Sequence, residues 1–233
     1  MFRLDERGIY RAPILEDIPW LQHGFGTRHS LDWPGEVIAS LRQVHSDRVL
    51  KAEEPGCIGE ADALITNRPG VLLSVRTADC LPILIADVDT HSVAAIHAGW
   101  RGVVQEIVPK TIARLASEYG SCPEGLRVAI GPGIGECCFQ VGAEVAQQFA
   151  ALFPEREDLF AKTRIDLLES VRRQLSRSGV TAGQIDATSL CTVCHADVFD
   201  SYRRDRDAAG RMVSLIGIRQ ESDKNLGNAK GAG

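Results

Sequence analysis

The stretch Leu81-Pro82-Ile83-Leu84-Ile85-Ala86, then Asp87-Val88-Asp89-Thr90-His91, then Ser92-Val93-Ala94-Ala95-Ile96-His97 decides the architecture. Both outer runs are short, rich in aliphatic residues, free of polar alternation and bounded by turn residues, which is the pattern of strands buried on both faces. Gly70 to Val75 and Leu126 to Ile130 repeat the pattern on either side, and further strands are expected near Phe199 to Arg203 and Met212 to Ile218. From Val104 the pattern changes: Ile107, Val108, Thr111, Ile112, Leu115 and Tyr119 recur at three- and four-residue spacing, the signature of an amphipathic helix. Pro109 sits inside it and predicts a kink or a late start. Further helices are expected from about Val141 to Phe153 and from Asp166. There the carboxylate can cap the first turn, Glu169 completes a capping-box-like pair, and Leu168, Val171 and Leu175 form the buried stripe. Strands and helices mix without strict alternation, so the fold class is α/β with mixed sheets and flanking helices.

The chain has 233 residues, enough for one sizeable core. No internal repeat or linker divides it, so residues 1–220 are expected to form one domain. The first 35 residues look turn-rich, and Glu221 to Gly233 lacks apolar periodicity and reads as a mobile tail. The formal charge of -5 provides no basic field for a nucleic-acid backbone. The longest apolar run, Leu81 to Val88, is too short and too interrupted to cross a bilayer. The N-terminus lacks the basic and apolar regions of a secretory signal, so a cytoplasmic location is expected. Seven cysteines, an odd number, in such a chain read as thiols rather than as a disulfide framework.

Three segments place ionisable residues at the ends of apolar strands: Gln43-Val44-His45-Ser46-Asp47, Thr77-Ala78-Asp79-Cys80 and His97-Ala98-Gly99-Trp100-Arg101-Gly102. Each offers one good metal ligand, His45, Cys80 or His97. Two imidazoles and a thiolate around an open position make a catalytic zinc arrangement. Taken singly, each is better read as a core residue; the set is what suggests a site. Asp62 and Asp79 can orient imidazoles, act as acid and base, or merely cap turns. Arg28, Arg76, Arg101 and Arg203 can present forked donors to an anion, Arg101 the most suggestively because it enters a helix.

Two other motifs resemble cofactor signatures without matching them. Cys191-Thr192-Val193-Cys194-His195 has the spacing of covalent haem attachment, but the chain lacks an export signal and its methionines are Met1 and Met212 alone. Adjacent Cys137 and Cys138 look badly placed to complete a metal site with it, so Cys191 and Cys194 read as structural thiols. Gly131-Pro132-Gly133-Ile134-Gly135 lacks the spacing of a dinucleotide fingerprint, and Pro132 removes a donor; it reads as a tight turn lining a pocket, with a purely structural turn as the alternative.

Phe25-Gly26-Thr27-Arg28, Gln43-Val44-His45-Ser46-Asp47, Ala61-Asp62-Ala63-Leu64-Ile65-Thr66, Thr77-Ala78-Asp79-Cys80, His97-Ala98-Gly99-Trp100-Arg101-Gly102, Ile130-Gly131-Pro132 and Ser201-Tyr202-Arg203-Arg204 occur in that order. Together they resemble the laccase-domain, YfiH-like family, long labelled multicopper polyphenol oxidases and described as purine nucleoside phosphorylases. The resemblance implies a single-domain fold like YfiH and the catalytic domain of cytotoxic necrotizing factor. It also implies zinc at His45, Cys80 and His97, with copper as an alternative occupant. The implied activity is phosphorolysis of adenosine, inosine, guanosine and methylthioadenosine, with adenosine deamination beside it. The expected partners are therefore a small nucleoside and phosphate. Asp62, Asp79 and Arg101 are expected to serve catalysis, and Arg28, Gln43 and Arg203 to bind substrate. Two alternatives stand beside this: a copper-dependent polyphenol oxidase, and a cysteine hydrolase or peptidoglycan-precursor editing enzyme using Cys80 and His97. The six histidines of the chain are too few for a blue-copper centre plus a trinuclear cluster.

Overall fold

A computed structural model describes residues 1–30 and 37–220. The tail expected from Glu221 lies outside the described residues. Two mixed sheets stack face to face, with helices covering the outer face of the second. The first sheet runs, edge to edge, through Arg3–Leu4, Ile9–Arg11, Leu21–Gly26, Met212–Ile218, Val71–Thr77, Val37–Arg42 and Gly56–Glu60. The second runs through Ile185–Ala187, Leu126–Ile130, Leu81–Asp87, Ser92–Ala98, Ala63–Thr66 and Val49–Lys51.

The second sheet is the middle layer, which is why its strands carry uninterrupted apolar runs. Every residue of Leu81–Asp87 and Ser92–Ala98 is buried. Side chains alternate between faces. Leu84, Ala86, Val93 and Ala95 meet Phe25, Leu73, Val75 and Ile216 of the first sheet. Ile83, Ile85, Ala94 and Ile96 meet Val108, Ile112 and Leu115 of the helix Ile107–Tyr119, and Val171 and Leu175 of the helix Leu167–Arg177. Each of these Val, Leu, Ile and Phe side chains stabilises the stack by roughly 1.5–3 kcal/mol.

The helix after Ser92–Ala98 is split. A short helix, Trp100–Val104, ends before Glu106 turns left-handed at φ 64°, and a new helix begins at Ile107. Pro109 thus falls in the first turn of the later helix, where a missing N–H forfeits no intrahelical bond. Asp166 accepts the Glu169 N–H at 2.9 Å and caps Leu167–Arg177. Glu169 does not complete a capping box; its carboxylate pairs with Arg173 one turn on, at 3.0 Å.

Three local expectations are corrected. The N-terminal 30 residues are not merely turn-rich, since three strands from them build one end of the first sheet. The helix expected over 141–153 is only Ala143–Ala146 followed by a 3-10 turn at Gln147–Phe149. The strand expected near Phe199 to Arg203 is instead a short helix, Tyr202–Asp205, because the Ser201 side chain accepts the Arg204 N–H and caps it.

Candidate active site

His97 occupies the penultimate position of Ser92–Ala98 and is almost fully buried. Its ring Nδ1 lies 2.7 Å from Asp62 Oδ1, which leaves Nε2 free for another partner. Asp62 is completely buried and also accepts the N–H groups of Val44, His45 and Ser46 at 3.2, 3.0 and 2.6 Å and the Ser46 hydroxyl at 2.8 Å. These bonds hold the 43–46 loop in a shape that puts His45 at φ 59°, an uncommon conformation for a residue with a Cβ. One carboxylate therefore fixes both imidazoles, His97 through its ring and His45 through its backbone.

Cys80 lies in the turn joining Val71–Thr77 to Leu81–Asp87. The turn is anchored by Asp79, which has φ 91°. Asp79 accepts the Thr192 hydroxyl on one oxygen and the Arg203 N–H on the other, each at 2.6 Å, and its carbonyl accepts the Ile134 N–H at 2.7 Å. Cys80 Sγ is 3.9 Å from His45 Nε2, and one donor atom from each of His45, Cys80 and His97 lies within 4.8 Å of the others. Gly99 makes this convergence possible, since a Cβ there would stand 2.9 Å from Cys80 Sγ and 3.0 Å from His45 Cδ2.

The electrostatics suit a cation. Burial alone would push the Cys80 thiol up, but His97 and His45 outweigh it and bring it down to about 6. Burial would likewise lower His97, yet the facing Cys80 thiolate and the Asp62 carboxylate raise it to about 9. Asp62 itself drops to about 2, since its bonds to His97 and Ser46 overcome the cost of burial. A thiolate facing a protonated imidazole is a site in which a metal ion can replace the proton. The donor set, two imidazoles and one soft thiolate with a carboxylate behind one imidazole, fits a borderline-soft divalent ion with an open coordination position.

The three donors open into a cavity of about 1050 Å³. Arg76, Arg101, Arg203, Arg206 and Arg211 line it, against a single lining carboxylate, Asp79. Apolar side chains, including Phe139, Val141, Val145 and Leu167, form another part of the lining. Arg101 is stacked on Trp100 with its guanidinium 4.6 Å from the ring centre. Arg203 donates to the carbonyls of Cys138 and Gln140 at 3.2 and 3.0 Å, which pins it at the rim. Gln43 also lines the cavity, but its side-chain amide is taken up by the backbone of Arg76, donating to the carbonyl and accepting the N–H at 2.8 Å each.

Two residues expected at the site stand apart from the cavity. Asp62 lies behind His97 and is absent from the lining. Arg28 donates to the Ala196 carbonyl at 2.5 Å and approaches Asp200 at 3.8 Å, also outside it. Arg206 and Arg211 were not foreseen; the only sequence signal was the density of arginines around Tyr202. The expectation that adjacent Cys137 and Cys138 are badly placed to join Cys191 and Cys194 is a further correction. Cys137, Cys138, Cys191 and Cys194 converge, with donor atoms within 4.8 Å of one another, because the loop around Gly133 pairs with the one around Cys191.

A family profile described as multi-copper polyphenol oxidoreductase laccase matches residues 26–219. A purine nucleoside phosphorylase of Deinococcus radiodurans is 38% identical over 220 residues, covering 92% of this chain and 81% of that protein. Purine nucleoside phosphorylase YfiH of Escherichia coli K12 is 38% identical over 181 residues, 76% of this chain and 72% of its own length. Among solved structures, YlmD from Geobacillus stearothermophilus superimposes with a TM-score of 0.84 at 27% identity, and the Bacillus licheniformis hypothetical protein YfiH with 0.83 at 29%. Each covers 94% of this chain and 99% of the other. With its sheets, its motifs and nearly its whole length matched, the chain belongs to the multi-copper polyphenol oxidoreductase laccase family, the YfiH-like proteins.

Proposed function

We propose that the chain is a purine nucleoside phosphorylase with zinc at His45, Cys80 and His97, acting on adenosine, inosine, guanosine and methylthioadenosine and also deaminating adenosine. The observation that carries this reading is the cavity itself, in which a three-donor metal set, a cluster of arginines and an apolar wall share one space. The names of the Deinococcus and Escherichia relatives support the same reading.

In phosphorolysis a phosphate oxygen bonds to the anomeric carbon as the glycosidic C–N bond breaks, and the electron pair leaves with the purine, which takes up a proton. Arg101, Arg206 and Arg211 offer charge to the phosphate, and an anion held beside the ribose favours the positive character that develops there. Phe139, Val141, Val145 and Leu167 form an apolar surface of the kind a purine packs against. His45, Cys80 and His97 would hold the zinc, which when bound would supply a Lewis acid for an oxygen ligand. Asp62 keeps His97 in the tautomer that leaves Nε2 available, and Asp79 holds Arg203 and the Cys80 turn in register.

The oxidase reading lacks ligands. His23 accepts the Ala12 N–H, His29 lies 2.7 Å from the Asp197 carbonyl, His91 stacks against Trp20 and His195 lies 2.9 Å from the Cys191 carbonyl. None of these four lines the cavity. The decisive assay is incubation with inosine and phosphate. The expected products are hypoxanthine and ribose 1-phosphate, in amounts that require phosphate; release of hypoxanthine that is indifferent to phosphate contradicts the proposal.

A further inference from the structure

We propose that Cys137, Cys138, Cys191 and Cys194 form a second metal centre, a tetrathiolate site for one zinc ion that fastens two cavity-forming loops together. Three of the sulfurs form a nearly equilateral triangle, and the fourth, Cys191 Sγ, lies within 4.8 Å of each of them. Cys137 to Cys138 and Cys137 to Cys194 are each 3.7 Å, and Cys138 to Cys194 is 3.5 Å. A zinc ion with four thiolates at a bond length of about 2.3 Å requires sulfur–sulfur edges of about 3.8 Å. The observed edges are too short for a polynuclear iron–sulfur cluster, whose irons and sulfides separate the cysteine sulfurs further.

The surrounding backbone is built for a thiolate. The Gly135 N–H points at Cys191 Sγ at 3.3 Å. A Cβ on Gly135 would stand 3.3 Å from both Cys137 Sγ and Cys191 Cβ, so a side chain there would crowd the point where the loops meet. Arg203 brings a positive charge to the Cys138 carbonyl, which offsets part of the excess negative charge of four thiolates around a divalent ion. Cys137 and Cys194 are exposed, so the site can exchange metal with solution.

The arrangement also explains why it is there. The connection between residues 131–139 and 191–195 otherwise rests on few bonds, among them the Thr192 N–H to the Gly133 carbonyl at 3.0 Å. The first loop contributes Ile134 and Phe139 to the cavity, and the second leads directly into Tyr202 and Arg203. An ion linking the two sets the width of the cavity without touching its contents.

Metal analysis of the full chain purified without chelator tests this independently of catalysis. Two zinc equivalents per chain are expected. Cys138→Ser and Cys194→Ser should each reduce this to one, and His45→Ala should remove the other. Cobalt added to the metal-stripped His45→Ala protein should give the intense charge-transfer bands of a four-thiolate ion, and this readout holds even if the serine variants misfold. Iron in place of zinc, a disulfide among the four cysteines in freshly isolated protein, or a cobalt spectrum without four-thiolate bands overturns the proposal.

Discussion

The carboxylate of Asp62 lies 2.7 Å from His97 Nδ1 while accepting the backbone N–H of His45 at 3.0 Å, so an imidazole on a strand and one on a distant loop are aimed by one buried side chain. Removing the negative charge should loosen both without deleting a ligand. Asp62→Asn is expected to weaken zinc at this site by about 10- to 100-fold, as losses of such partners do. Competition with a chelator of known affinity measures this, and an unaltered affinity would show that the contact does not tune the site.

Gly99 offers a test that leaves every donor in place. The Cβ introduced by Gly99→Ala would meet the Cys80 sulfur and the His45 ring at 2.9 and 3.0 Å. Overpacking of this kind costs about 1–3 kcal/mol. The strain falls on the metal set, so one zinc equivalent should be lost while the far-ultraviolet spectrum stays native. Full retention of that zinc would mean that the turn shifts aside easily.

The arginines should separate phosphate from nucleoside. Arg101 lines the cavity and is stacked on Trp100. A charge-assisted hydrogen bond is worth about 1.5–3 kcal/mol. Arg101→Ala is therefore expected to lower kcat/KM for phosphate by about 10- to 100-fold with a much smaller change in KM for inosine. Equal losses toward both substrates would assign Arg101 to the structure of the wall.

The architecture was legible where burial dictates composition. Leu81–Asp87 and Ser92–Ala98 lie between a sheet and a helical layer, and that double burial is written as apolar runs. His45, Cys80 and His97 stood out because each interrupts or ends such a run. Their convergence was not legible, since it depends on Asp62 and on how the sheets pair. The cysteine quartet was missed for the same reason: Cys137 and Cys191 are brought together by a bridge between Gly133 and Cys191, and no local spacing encodes that pairing. Residues 199–203 misled because a run of aromatic and polar residues fits a strand by composition, whereas the Ser201 cap settles the backbone as a helix.

His23 should give stability a dependence on pH distinct from that of the carboxylates. It is buried, accepts the Ala12 N–H at 2.9 Å, and is brought from 6.5 to about 3 by burial with Arg11 and Arg219 nearby. Above pH 6.5 the ring is neutral in both folded and unfolded chains. As pH falls below 6.5 the unfolded chain takes a proton that the folded chain refuses until about pH 3, so stability falls with falling pH across that window. The maximal slope is about 1.4 kcal/mol per pH unit. His23→Gln keeps an acceptor for Ala12 and abolishes the titration, so its stability should be flatter between about pH 6.5 and 4.5. Parallel curves for the two proteins in denaturant titrations would contradict the assignment.

The central claim is that His45, Cys80 and His97 act as one metal-binding unit of a phosphorylase. The most direct measurement is zinc content and phosphate-dependent hypoxanthine release on the same preparations of single and paired alanine variants, with Cys57→Ser and Cys122→Ser as exposed-thiol controls. Each single variant should lose one zinc equivalent and the activity together, and pairing two should add little, because residues acting as a unit are not additive. The controls should keep both. A Cys80→Ala protein that retains its full zinc complement and its phosphorolysis contradicts the account.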